Sequence, residues 1–160
     1  VFGRPAQGNH EHPEFTSIEG VAIGGPGLVA VGTWANLEVD DEEPIRGMAA
    51  VWTSTDGTSW SRVPQDEAIF GDSEMKSVAA VGDGLVAVGT TSVDFENCQY
   101  ECEAAAAWTS TDGITWSRVA HDEAVFAGYQ IASVTAGGPG VVAVGAGDGA
   151  PAVWVAGLAE

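Results

Sequence analysis

The apolar positions of this chain recur at one long interval. "IEGVAIGGPGLVAVG" (residues 18–32), "MKSVAAVGDGLVAVG" (75–89) and "IASVTAGGPGVVAVG" (131–145) write one pattern, with their final glycines 57 and then 56 residues apart. Each phrase is two short runs of Val, Ala and Leu around Gly-Pro-Gly or Gly-Asp-Gly, which predicts a β-hairpin. The runs are nearly all small and apolar, which suits strands buried on both faces between neighbouring sheets. A variable polar loop follows: "TWANLEVDDEEPIRGM", "TTSVDFENCQYECE" or "AGDGA". Then "AAVWTS" predicts a third strand. "TDG" predicts a tight turn, with Gly57 and Gly113 supplying the positive φ. "TSWSRV" and "ITWSRV" predict a fourth strand. The linkers "PQDEAIFGDSE" and "AHDEAVFAGYQ" lead to the next unit. No helical apolar stripe of useful length appears.

Four strands in each repeat of roughly 40–55 residues is the arithmetic of a β-propeller blade. The predicted fold is therefore all-β: four-stranded antiparallel sheets, about three blades in the chain. Residues 1–16 read as the end of a blade, 17–74 and 75–130 as blades, and 131–160 as an incomplete blade. Counting back from Phe15 against Phe70 and Phe126 sets His10 on Gln65 and His121, and Glu11 on Asp66 and Asp122. Residues 1–8 then take the fourth-strand position. Three blades are too few to close alone, since propellers have about 4–8, and an open arc leaves sheet faces and an edge bare. Two expectations follow. Either two copies form a six-bladed ring, each giving its N-terminal strand to the partner's third blade, or these residues belong to a longer propeller.

Composition narrows the partners. Five Lys and Arg face 23 Asp and Glu, for a formal charge of −18. Such a surface repels nucleic acid and anionic membranes, because phosphate binding relies on Lys and Arg. It favours cations, basic partners or simple solubility. No apolar run approaches the ~20 residues of a membrane-spanning helix. The two cysteines, Cys98 and Cys102, stand in a polar stretch, and no second pair or nearby His completes a zinc site. A local disulfide in a secreted protein is the expectation, with two free thiols as the alternative.

Ser-Thr-Asp-Gly-x-[Ser/Thr]-Trp, at residues 54–60 and 110–116, resembles the Asp-box, or BNR repeat, of sialidase-type β-propellers. That family writes Ser-x-Asp-x-Gly-x-Thr-Trp between the third and fourth strands of a blade. The match here is one residue shorter between Asp and Trp, which makes it a variant box. The whole unit resembles uncharacterised secreted bacterial propeller-like repeat proteins. The resemblance implies that Ser54, Asp56, Gly57 and Trp60, with Ser110, Asp112, Gly113 and Trp116, are architectural. Short polar side chains bond the turn's own backbone, and the Trp packs against the blade.

Sialidases of this fold use an arginine triad, a Tyr–Glu nucleophile pair and an acid. The arginines here are Arg4, Arg46, Arg62 and Arg118; the last two are repeat-equivalent and read as structural. The tyrosines, Tyr100 and Tyr129, fall in variable loops. No Gly-x-Ser-x-Gly, HExxH or phosphate loop is present, so no catalytic residue is assigned. The linkers are the candidate ligand face: His10, Glu11 and His12; Gln65, Asp66 and Glu67; His121, Asp122 and Glu123. Ringed around a central funnel, their carboxylates suit Ca²⁺ and their imidazoles a transition metal. The plainer reading has the acids capping turns and the histidines facing solvent. The acidic loops at 38–44 and 94–103 differ most between units, and variable loops on a rigid scaffold commonly hold specificity. They lack the EF-hand pattern. Trp34 has no Trp at its repeat equivalents, Thr91 and Gly147, and so is a candidate sugar-stacking platform as well as an edge-packing residue. The expected function is a secreted, non-enzymatic binding or scaffold module for protein or glycan. The alternative is a sialidase-like hydrolase fragment or remnant.

Overall fold

The computed structural model describes residues 14–36, 47–93, 102–137 and 140–157. Strands hold 69% of these residues and helix 7%, so the fold is all-β. Three antiparallel sheets follow one another along the chain. The first comprises β1 (Glu14–Gly24), β2 (Gly27–Asn36), β3 (Met48–Ser54) and β4 (Ser61–Arg62). The second comprises β5 (Ser73–Val81), β6 (Gly84–Val93), β7 (Cys102–Ser110) and β8 (Trp116–Arg118). The third holds β9 (Tyr129–Gly137), β10 (Gly140–Gly147) and β11 (Ala150–Gly157). Within each sheet, strands lie in chain order and each pairs with the next.

The strands run further than the sequence pattern predicts. Gly32 and Gly89 do not end their strands; β2 continues to Asn36 and β6 to Val93. Cys102 and Glu103, read as loop, open β7. The repeated glycine has another reason. It faces a β-bulge in the neighbouring strand, where the register slips between Ile18 and Gly20, between Met75 and Ser77, and on the β9 side of Gly145. A Cβ on Gly32 would stand 1.8 Å from the Ser17 carbonyl oxygen, and one on Gly89 1.9 Å from that of Glu74. Glycine inside a strand marks such close backbone approach.

The linkers also depart from expectation, since each holds one helical turn: α1 (Glu67–Phe70) and α2 (Glu123–Phe126). Asp66 and Asp122 cap them, accepting from the N–H of Ala68 at 3.0 Å and Ala124 at 2.9 Å. An N-cap carboxylate satisfies a donor that the helix leaves free. The count that set Phe15 on Phe70 fails here. Phe70 ends a helix, whereas Phe15 lies in β1 opposite Ala35. Only two residues separate Phe15 from Ile18, against four between Phe70 and Met75, so Phe15 falls past the turn and inside the strand.

The sheets stack face to face. β5 packs across β1, β2 and β3, and β9 packs across β5, β6 and β7. Between the first two sheets, Val29, Val31 and Val51 meet Met75, Trp108 and Trp116. Between the second and third, Val88 and Ala105 meet Ile131, Val134 and Ala143. The strands β5 and β9 are also tied directly, by the Val134 N–H donating to Ser77 Oγ at 3.2 Å. Burial of this kind stabilises by about 25 cal/mol per Å² of apolar surface.

Candidate functional site

The two Ser-Thr-Asp-Gly corners are built alike. Ser54 Oγ accepts from the N–H of Asp56 at 3.3 Å and of Gly57 at 2.8 Å. Asp56 Oδ1 accepts from Thr58 at 2.8 Å and Ser59 at 2.7 Å. Ser110 and Asp112 repeat this on Asp112, Gly113, Ile114 and Thr115. Gly57 and Gly113 both sit at φ 74, a conformation that glycine adopts without steric cost. The backbone donors of Ser59 and then Thr58 hold the Asp56 carboxyl below the usual carboxylate range. Those of Thr115 and then Ile114 hold Asp112 at about 2. In both carboxylates Oδ1 is taken by the turn's own backbone donors. Trp116 is buried with its Nε1 donating to the Gly113 carbonyl at 3.1 Å, while Trp60 is exposed.

Tryptophan and arginine organise the rest. Trp108 Nε1 donates to the Ile69 carbonyl at 2.7 Å, and Trp154 Nε1 donates to the Val125 carbonyl at 3.0 Å, tying β7 to α1 and β11 to α2. The Arg62 guanidinium lies 4.2 Å from the Trp34 ring centroid, and that of Arg118 lies 5.8 Å from the Trp108 ring. Each arginine thus rests on a tryptophan of its own sheet. Arg62 takes one face of the Trp34 ring, the residue singled out for sugar stacking. The Trp34 Nε1 is buried and has no hydrogen-bond partner among the described residues. Tyr129 meets Trp154 edge-on at 5.7 Å.

Of the linker set, the structure brings Glu67 and His121 to one cleft of about 570 Å³, with Asp72 and Arg118. Burial pushes Arg118 down from its ordinary value, against the pull of Asp72. Gln65 instead bonds back to β3, its Nε2 donating to the Ala49 carbonyl at 3.2 Å. Asp66 and Asp122 serve as helix caps, and Glu123 lies in the first turn of α2. The His121 ring lies 6.0 Å from that of Phe126. Among the described residues no three His, Cys, Asp or Glu side chains gather to hold a metal ion. His10, Glu11, His12, Arg4, Arg46, Cys98, Tyr100 and the loop at 38–44 lie outside the described residues. Among those described, no helix is long and apolar enough to cross a membrane.

The bare sheet faces expected of an open arc are the outer faces of the first and third sheets, at the two ends of the stack. Ile18 and Met75 hold the same repeat position, yet Ile18 is 58% exposed and Met75 is fully buried under the first sheet. At the other end, Val153 is 65% exposed, whereas its counterpart Val51 is fully buried under the second sheet. Val21 and Val144 are likewise exposed where Val78 and Val31 are buried. The outer faces of the first and third sheets thus carry repeat positions that are buried where they recur inside the stack. An open arc of equivalent units leaves each of its two terminal units with a neighbour on one side only. No family model matches the chain, and no curated protein matches it.

Proposed function

We propose that this chain is a non-enzymatic, secreted β-propeller module that works by assembly and recognition, its Ser-Thr-Asp-Gly corners being Asp-boxes of the BNR type. The observation that carries the reading is the exposure at its two ends: each bare face repeats apolar positions that are buried between sheets elsewhere in the chain. Two copies joined head to tail bury both faces twice and make a ring of six sheets. An interface of that kind either closes or grows into a filament, and six lies within the about 4–8 blades of propellers. Protein or glycan ligands then bind on loops and clefts of the ring, which the acidic surface biases toward basic or cationic partners. The corner hydrogen bonds support an architectural role for the boxes, because the Ser Oγ and Asp Oδ1 of each accept from the turn's own backbone. Secretion is proposed from the acidic composition and the Cys98–Cys102 spacing. The alternative, a sialidase-like hydrolase, needs arginines converging on one substrate carboxylate. Arg62 and Arg118 belong to different sheets and lie on different tryptophans.

The test is the solution mass by light scattering at moderate salt. A chain of 16.3 kDa should appear at twice that mass. A folded species of single mass overturns the paired-face reading.

A further inference from the structure

The strands β1, β5 and β9 each stand at one edge of their sheet, and successive members touch. Val21, Val78 and Val134 hold one repeat position in them, paired within their sheets with Ala30, Ala87 and Ala143. The residue before each valine lies just past the bulge, and it is Gly20, Ser77 and Ser133 in turn. At the first junction a Cβ on Gly20 would stand 3.1 Å from Ser77 Cα and 3.2 Å from the Val78 nitrogen. At the second junction Ser77 makes the same approach with a side chain, and its Oγ accepts from the Val134 N–H at 3.2 Å. In both, the residue before the valine is aimed at the valine amide of the next sheet.

The two halves of a third junction lie at opposite ends of the stack. Ser133 is exposed on the third sheet, and Val21 is 60% exposed on the first. Ser133 repeats Ser77, and Val21 repeats Val134.

We propose that Ser133 Oγ of one copy accepts a hydrogen bond from the Val21 N–H of a second copy, and that this bond sets the direction of assembly. The inference rests on the head-to-tail joining proposed above. The contact runs one way, with a side-chain acceptor on the third sheet and a backbone donor on the first. Gly20 has no side chain, so the first sheet cannot supply the acceptor in its place. Joining like ends brings Ser133 to Ser133 or Val21 to Val21, and the Val21 N–H is then covered without its acceptor. A buried donor left unpaired costs more than the bond itself gains. Unlike ends matched in this way make a heterologous interface.

Cysteine pairs test this in the full chain, in a background carrying Cys98→Ser and Cys102→Ser. Ser77→Cys with Val134→Cys calibrates the geometry and should close a disulfide within one chain. Ser133→Cys with Val21→Cys should give a covalent dimer that reductant reverses. A covalent dimer of similar yield from Ser133→Cys alone or Val21→Cys alone overturns the direction. With the native cysteines kept, Ser133→Ala should leave the circular dichroism unchanged and weaken the dimer roughly tenfold, one hydrogen bond being lost at each of two junctions. It should also speed hydrogen exchange of the Val21 amide in the dimer, read by NMR. A dimer indifferent to Ser133→Ala, or a missing cross-link where the Ser77–Val134 pair closes, overturns this contact and leaves the two-chain assembly standing. Single mass before any substitution overturns both readings.

Discussion

Trp60 and Trp116 hold the same place in consecutive sheets, and one is 38% exposed while the other is 3% exposed. The local frame does not account for this, because both follow the same corner with the same hydrogen bonds. The neighbouring sheet does. Trp116 is covered by the first sheet, and the described chain offers Trp60 no equivalent cover.

Trp116→Ala should therefore cost about 3–5 kcal/mol, the usual range for emptying a buried aromatic site. Trp60→Ala should cost the single chain clearly less. Urea unfolding of both variants at low protein concentration checks the ordering, and equal losses would contradict it.

The corner carboxylates set an acid limit. Asp56 and Asp112 are held below their ordinary value of 3.8 in the folded chain, Asp112 at about 2. The unfolded chain therefore takes up protons first as pH falls. Stability from these turns is complete above about pH 5 and is lost as pH drops through the folded values. Asp56→Asn with Asp112→Asn keeps a side-chain oxygen as acceptor but removes the charge. The double variant should start less stable near neutrality and lose less of its urea midpoint than the parent between about pH 5 and 2.

Gly89→Ala should be strongly destabilising, because its Cβ would stand 1.9 Å from the Glu74 carbonyl oxygen. Overpacking of this sort costs roughly 1–3 kcal/mol or more. Gly137→Ala is the contrast, since nothing among the described residues lies within 4 Å of its Cβ, and it should change stability by less than about 0.5 kcal/mol. Thermal melts of the two variants decide whether the repeated glycine is there for the bulge.

Val153→Glu places a charge on the bare outer face of the third sheet. It should leave the circular dichroism of the chain unchanged and abolish the dimer. If the dimer survived the substitution, that face would not be the contact.

The repeat itself was legible because hairpins here leave a strong signature: β-branched runs, glycine turns and a fixed period. The corner was legible because Ser, Asp and Gly at that spacing have few other uses. Other features were hidden for physical reasons. Gly32 looks like a strand end, and only the carbonyl of Ser17 opposite it shows otherwise. A single helical turn such as Glu67–Phe70 is too short to display a periodicity. Gln65 reads as a ligand-face residue until its amide is seen bonded to β3. The gathering of Glu67, His121 and Arg118 in one cleft depends on how two linkers cross, which no local pattern encodes.

The second corner does not stop at its own sheet. The Asp112 carbonyl oxygen lies 2.5 Å from where a Cβ on Gly25 would stand, and Gly113 is seated against Pro26 and Val29. The turn of one unit is thereby wedged into the hairpin of the unit before it. A unit that melts withdraws a wedge from its neighbour, so loss of structure should sweep through the units as a single cooperative transition rather than peel them off in sequence.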